Sequence, residues 1–403
     1  MPLFSLNLVC GGSFVKPGID VLRDRGFEIL QGKRVGLITN PTGISLDMQS
    51  SVDILFNAPG IQLVALFSPE HGVRGDIDAG KDVNGYSDPR TGLPVYSLYG
   101  KTRRPTKEML KGIDVLVYDI QDIGVRSYTF ISTMGLAMEA ATENGIKFVV
   151  LDRPNPLTGN RVEGPMLDPR FKSFIGAYPI PYIYGMTAGE LAQMINGEQW
   201  LNGAGKCDLT VVPMSGWKRS MWWEDTGLTW VPTSPHIPHS FTTIFSVLTG
   251  LLGELGTANQ GIGYTLPFEL IGAPWIDGFA LSRYLNSLGL PGVIFRQISY
   301  IPFYKDTSGI RYKGVQIHIT DRNKINMEQV QLAILEALLR LYPDFNIFNR
   351  AKPDRINSFD KAVGTDEIRR SLVNQVPVDE ILNKINQERA LFMIKREKYL
   401  IYE

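Results

Sequence analysis

Four apolar runs, each ending in a polar loop, constrain this chain more than any other feature. Lys33–Thr39, Gln62–Phe67, Asp114–Asp119 and Lys147–Asp152 are rich in valine, isoleucine and leucine and do not alternate with polar residues. A strand with one wet face alternates, so runs of this kind need cover on both faces. Segments at Ser45–Phe56 and from about Phe130 to Glu143 have the spacing of helices and lie between the runs. The reading is α/β: a Rossmann-like parallel sheet built from βα units over residues 18–165.

Beyond Pro165 the texture changes. Prolines and aromatics crowd Pro179–Tyr182, Trp217–Trp230 and Pro232–Pro235. A second α/β (α+β) domain is expected over residues 166–403, closing a cleft against the first, with residues 1–17 as a leader or disordered segment. Its helices are expected at Thr187–Asn196, Phe241–Gly253 and Met327–Leu341, and its clearest strands at Val293–Ser299 and Val315–Thr320. Val330, Ile334, Leu338 and Leu341 share one helical face, which reads as core packing.

A chain of 403 residues has room for two domains, and 44% hydrophobic with 20% charged residues is ordinary globular composition. Lysine plus arginine balances aspartate plus glutamate at 41 each, which argues against a basic nucleic-acid binder or a polybasic membrane anchor. Two cysteines without a C-x-x-C pair and four scattered histidines give no metal-site pattern. No metal is expected. No apolar run is long enough to span a bilayer. Met1–Val9 is apolar and ends at Cys10-Gly11-Gly12 without a basic n-region, so it reads either as the tail of a lipoprotein signal or as a disordered leader.

Chemistry in an open parallel sheet belongs outside the carboxyl ends of the strands. Each of the four runs is followed there by a polar loop: Thr39–Gly43, Ser68–Gly75, Asp119–Tyr128 and Asp152–Pro156. The first loop lacks G-x-G-x-x-G, and no P-loop pattern occurs, so no nucleotide cofactor is expected. Glu70, between a proline and His71-Gly72, is a candidate general acid, with Asp119 or Asp122 as a second carboxylate. Glu70 reads alternatively as a cap or as the partner of Arg74. His71 would orient Glu70 or bond to backbone. Arg126 and Arg153 suit bidentate binding of a carboxylate or phosphate, or else pair with Asp122 and Asp152. Asn40, Tyr128, Asp152 and Asn155 complete the substrate-binding candidates at the strand ends; Asn155 alternatively closes a turn and Tyr128 is half-buried packing. The second domain offers His236 in Thr233–His239, Glu269 in Pro267–Trp275, and tryptophans 217, 222, 223 and 230, which either stack on sugars or fill the core.

Taken together these segments resemble a bacterial family of exo-β-N-acetylmuramidases formerly known only as a domain of unknown function. The matching segments are Gly18–Leu22, Gly36–Gly43, Ser68–Gly72, Asp119–Thr129, Asp152–Pro156, Pro267–Trp275, and Phe359-Asp360-Lys361 with Gly364-Thr365. The resemblance implies a Rossmann-like domain followed by a smaller α/β domain, an active site between them, and no cofactor. It implies removal of terminal N-acetylmuramic acid from peptidoglycan fragments, a small sugar substrate, with Glu70 as the catalytic glutamate. On charge grounds, Arg126 or Arg153 would recognise the lactyl carboxylate. One departure stands out. Where the family pattern is Gly-Arg-Gly-Thr, this chain reads Gly261-Ile262-Gly263-Tyr264-Thr265, which leaves open a paralogue with altered sugar specificity or a muropeptide- or sugar-binding envelope protein without turnover. The substrate and the leader point to the cell envelope or periplasm, with cytoplasmic recycling as the alternative.

Overall fold

The computed structural model describes residues 14–69, 72–75, 86–100, 102–303 and 309–403. The leader through residue 13, and with it Cys10, lies outside them.

The strands are β1 (Arg34–Thr39), β2 (Gln62–Ser68), β3 (Tyr86–Ser87), β4 (Pro94–Ser97), β5 (Val115–Asp119), β6 (Lys147–Leu151), β7 (Glu163–Met166), β8 (Pro181–Ile183), β9 (Leu209–Val212), β10 (Leu270–Ala273), β11 (Val293–Tyr300) and β12 (Tyr312–Ile319). The helices are α1 (Gly18–Asp24), α2 (Ser51–Asn57), α3 (Phe130–Glu143), α4 (Ala188–Gly197), α5 (Thr242–Leu255), α6 (Gly278–Ser287), α7 (Met327–Leu341), α8 (Pro353–Val363), α9 (Glu367–Val373) and α10 (Val378–Arg396).

Seven strands form the main sheet in the order β3-β4-β2-β1-β5-β6-β9. All its pairs are parallel except β3 with β4. Counted along the chain, the six parallel strands lie third, second, first, fourth, fifth and sixth. This is the doubly wound order, whose switch point falls between β1 and β5. Cover on both faces explains the unbroken apolar runs. Val35, Leu37 and Val117 pack with Ile19 and Leu22 of α1 and Val52 and Leu55 of α2. Ile38, Leu116 and Tyr118 face the other way, toward Phe130, Ile131 and Met134 of α3.

The expected helix Ser45–Phe56 begins only at Ser51. Both Ser45 and Ser50 offer a capping oxygen, and Ser50 takes the role, accepting from Val52 N at 3.2 Å. Ser45 instead closes a turn, its oxygen accepting from Gln49 N at 3.1 Å.

The main sheet takes its last strand from Leu209–Val212, so it extends beyond residue 165, where the change in sequence texture suggested a boundary. The second part of the chain carries the antiparallel sheet β10-β12-β11. Its core includes Val315, Ile317, Val330, Ile334 and Leu338. Residues past α10 return to the main sheet as a strap. Ile401 N donates to Glu190 Oε1 (2.9 Å), Tyr402 OH to Asp152 Oδ2 (2.5 Å), and Arg219 N to the Glu403 carbonyl (2.8 Å). No helix among the described residues is long and apolar enough to cross a membrane.

Candidate active site at the strand ends

The loop after β1 is built by its own side chains. Asn40 Oδ1 accepts from Thr42 N (3.0 Å) and Thr42 Oγ1 (2.5 Å), and Thr42 Oγ1 accepts from Gln121 N (2.9 Å). Gly43 is required there, because a Cβ would run into Thr39 Oγ1 and the Asp119 carbonyl. Asn40 therefore shapes the loop through its Oδ1 from a buried position.

The switch point is filled by an internal ion pair. Arg153 donates from Nε to Asp119 Oδ1 (2.5 Å) and from Nη2 to Asp119 Oδ2 (3.0 Å) and the Ile44 carbonyl (2.7 Å). Ser51 Oγ also donates to Asp119 Oδ2. Trp223, Leu228 and Val231 lie over this network and leave a cavity of only about 20 Å³. Arg153 was expected either to bind an anionic ligand or to pair with a carboxylate. It pairs, and with Asp119 in place of the expected Asp152.

Arg126 requires a clear correction. Its side chain is wholly buried and donates only to main-chain carbonyls: Pro165 (2.8 Å), Ile180 (2.6 Å), Ala362 (3.3 Å) and Val363. Burial lowers its pKa to about 10, so it stays charged at neutral pH. It ties the loop after β5 to the carbonyl end of α8, which places it out of reach of a lactyl carboxylate. The adjoining Gly364, at φ 89°, leaves the space its guanidinium needs.

Asp152 and Asn155 likewise spend their polar atoms inside the protein. Asp152 accepts from Gly189 N (2.8 Å), Thr187 Oγ1 (2.7 Å) and Tyr402 OH (2.5 Å), anchoring the start of α4 and the C-terminal strap together. Asn155 accepts from Leu157 N and donates to the Met186 carbonyl, both at 2.9 Å. Beside it, Gly124 adopts φ 78°, where a Cβ would overlap the Asn155 amide.

Asp122 differs from these. Its Oδ2 accepts from Gly124 N (2.8 Å) and Tyr184 OH, while Oδ1, equally buried, has no hydrogen-bond partner. Gln121 Oε1 next to it is also unpartnered. Burial pushes the Asp122 carboxyl up to about 6, against the opposing bonds from Tyr184 and the main chain. A carboxyl harder to ionise when folded favours the folded chain fully below its unfolded value of 3.8. That contribution is lost as the pH rises through about 6. Asp122→Asn should therefore gain on the wild type by roughly 2–3 kcal/mol between about pH 4 and pH 7. Urea unfolding at both pH values measures the difference, and a gap that does not move with pH would mean that Asp122 ionises normally.

The second part of the chain supplies a wall on one side. Tyr128 OH donates to Thr233 Oγ1 at 2.9 Å, joining the loop after β5 to the segment that carries His236, which is half-buried. Beyond it, His239 stacks on Phe241 at 5.1 Å. His239 also acts electrostatically on Glu269, whose pKa is raised by burial and eased down by Gln316 and His239. Trp217, Trp222 and Trp223 are buried. Trp222 donates to Asn323 Oδ1 (2.8 Å) and Trp223 packs edge-on to Trp230 at 4.8 Å, so this cluster is interior packing. Glu70 and His71 lie outside the described residues. Ser51, Tyr184, Glu190, Arg219 and Tyr402 carry much of the buried polar network and were not foreseen. Only Thr187-Ala188-Gly189-Glu190, a capping-box pattern, signalled any of it.

Family models for the N-terminal and C-terminal parts of the exo-β-N-acetylmuramidase NamZ match residues 35–241 and 247–402. The chain belongs to the NamZ exo-β-N-acetylmuramidase family. A peptidoglycan β-N-acetylmuramidase NamZ from Bacillus subtilis is 49% identical over 389 residues, 96% of this chain and 91% of that protein. Two crystal structures of DUF1343 family proteins from Bacteroides fragilis share the fold. One has a TM-score of 0.92 at 49% identity, covering 96% of this chain and 99% of that one. The other has a TM-score of 0.76 at 31% identity, covering 97% and 99%. The fold expected from the four apolar runs and the family expected from the loop motifs are both borne out.

Proposed function

We propose that this protein is a glycoside hydrolase, an exo-acting β-N-acetylmuramidase that releases terminal N-acetylmuramic acid from peptidoglycan fragments. The observation that carries this reading is 49% identity across 96% of the chain with a peptidoglycan β-N-acetylmuramidase. In it Glu70 is the general acid at the end of β2 and His71 orients it. Asp122 is the second carboxyl, kept near neutral pKa by burial. Tyr128, His236 and Glu269 line the substrate. Work on such fragments fits a place in the cell envelope.

A second reading, a muropeptide binder without turnover, is favoured by one observation: Ile262, buried, stands where the family pattern has arginine. Release of chromophore from an aryl β-N-acetylmuraminide separates the two, with the matching β-N-acetylglucosaminide as control. Hydrolysis of the muraminide alone is the expected result. A folded protein inert toward both sugars, yet binding muropeptides, would replace the first reading with the second.

A further inference from the structure

A pocket of about 300 Å³ lies away from the strand-end loops, beside α3 and α4, and nothing in the catalytic reading uses it. One wall is Trp200, whose indole is half-buried and stacks on Tyr178, with ring centroids 6.2 Å apart and planes 18° from parallel. Pro169 and Pro179, both exposed, give the opposite wall a rigid apolar surface. The rim is polar. Lys172 Nζ donates to Asn202 Oδ1 at 2.8 Å, and Asn202 Nδ2 donates to Glu139 Oε1 at 2.5 Å.

This pocket sets an aromatic wall beside a held cation. Lys172 is held at the rim by a neutral amide and makes no ion pair among the described residues; its charge acts on Glu139 only at a distance, across Asn202. The turn carrying Trp200 closes α4: Gln199, at φ 58°, follows the helix, and Gln199 N and Trp200 N donate back to the Asn196 (3.3 Å) and Ile195 (2.9 Å) carbonyls, which fixes the indole in place.

We propose that this pocket is a second glycan-binding site, separate from the catalytic cleft, that takes an acidic amino sugar within a glycan strand. Trp200 stacks on the pyranose ring, Gln199 meets its hydroxyl and amide groups, and Lys172 pairs with its carboxylate. The site would hold a strand on the enzyme without taking part in bond cleavage. The choice of sugar rests on the functional reading above; the presence of a saccharide platform does not.

The test uses the full chain and peptide-free glycan strands whose non-reducing ends are N-acetylglucosamine, which an exo-acting muramidase cannot shorten. Equilibrium binding is compared for the wild type, Trp200→Ala and Lys172→Glu, with neutral chitopentaose as a second probe. Trp200→Ala is expected to weaken binding of both probes about tenfold, as loss of an aromatic anchor does. Lys172→Glu is expected to weaken the strands and spare chitopentaose. Both variants should cleave the aryl muraminide at the wild-type kcat/KM. Should Trp200→Ala misfold, Lys172→Glu decides alone. Unchanged strand binding in folded variants, or no strand binding by the wild type, would overturn the proposal. Failure of every protein to cleave the muraminide would count against the catalytic reading and leave the binding comparison intact.

Discussion

An Arg126→Met protein is expected to lose about 3–5 kcal/mol of folding stability, the range seen when a buried polar or ionic network loses one partner. Methionine fills similar space but donates nothing, so the carbonyls of Pro165, Ile180, Ala362 and Val363 all lose the guanidinium. Each buried acceptor left without a donor costs about 1–3 kcal/mol. Removing a buried charge offsets part of that sum, and the Ile180 carbonyl keeps its bond from Leu167 N (3.3 Å), which is why the expected loss is below the total for four carbonyls. Arg126→Lys should fall between, because one ammonium cannot serve carbonyls on three separate segments with the reach of a planar fork. Urea midpoints and slopes measure both variants. A loss below about 1 kcal/mol for the methionine variant would mean that water or a neighbour takes over these acceptors.

Glu70→Gln is expected to lower kcat/KM on the aryl muraminide by about 10²–10⁴-fold while leaving the urea midpoint unchanged, the range for removing a general acid. Glutamine keeps the shape and hydrogen-bonding reach of the side chain but cannot give up a proton to the leaving oxygen. A leaving group that needs little protonation, such as dinitrophenol, should recover part of the loss if Glu70 is the acid. Equal rates for variant and wild type on both substrates would remove Glu70 from the chemistry and turn attention to Asp122 and Glu269.

The sheet was readable because its strands are buried on both faces, and burial of that kind leaves an unbroken apolar run. Val35-Gly36-Leu37-Ile38 and Val115-Leu116-Val117-Tyr118 needed no alignment to be recognised. Shorter pieces were not readable. Leu209–Val212 is four residues long, and Tyr86–Ser87 only two, too short for any period to show. The loop chemistry was legible in type and not in target. Arginine beside aspartate at a strand end signals charge, but sequence carries no measure of depth. Arg153 could thus be given two roles, and the true partner, Asp119, is the last residue of the neighbouring strand β5. Arg126 was misread for the same reason: its partners are main-chain carbonyls, which leave no trace in residue identity, and two of them lie more than two hundred positions away. Asp122 was picked out because its loop collects polar residues, yet Tyr184, which holds it, sits in Pro181-Tyr182-Ile183-Tyr184 with nothing to set it apart from core packing.

The C-terminal strap has a bearing on how the protein is made. Asp152 and Glu190 are buried in the main sheet region, and each takes one of its hydrogen bonds from residues 401 and 402. Asp152 and Tyr402 are 250 residues apart, an interval of about 12–50 s at ordinary elongation rates of roughly 5–20 residues per second. During that time the nascent sheet carries two carboxyl groups it cannot bury at full satisfaction. The N-terminal half is thus a poor candidate for early, independent folding on the ribosome. Docking of residues 401–403 onto the sheet becomes the step that commits the molecule to its native state.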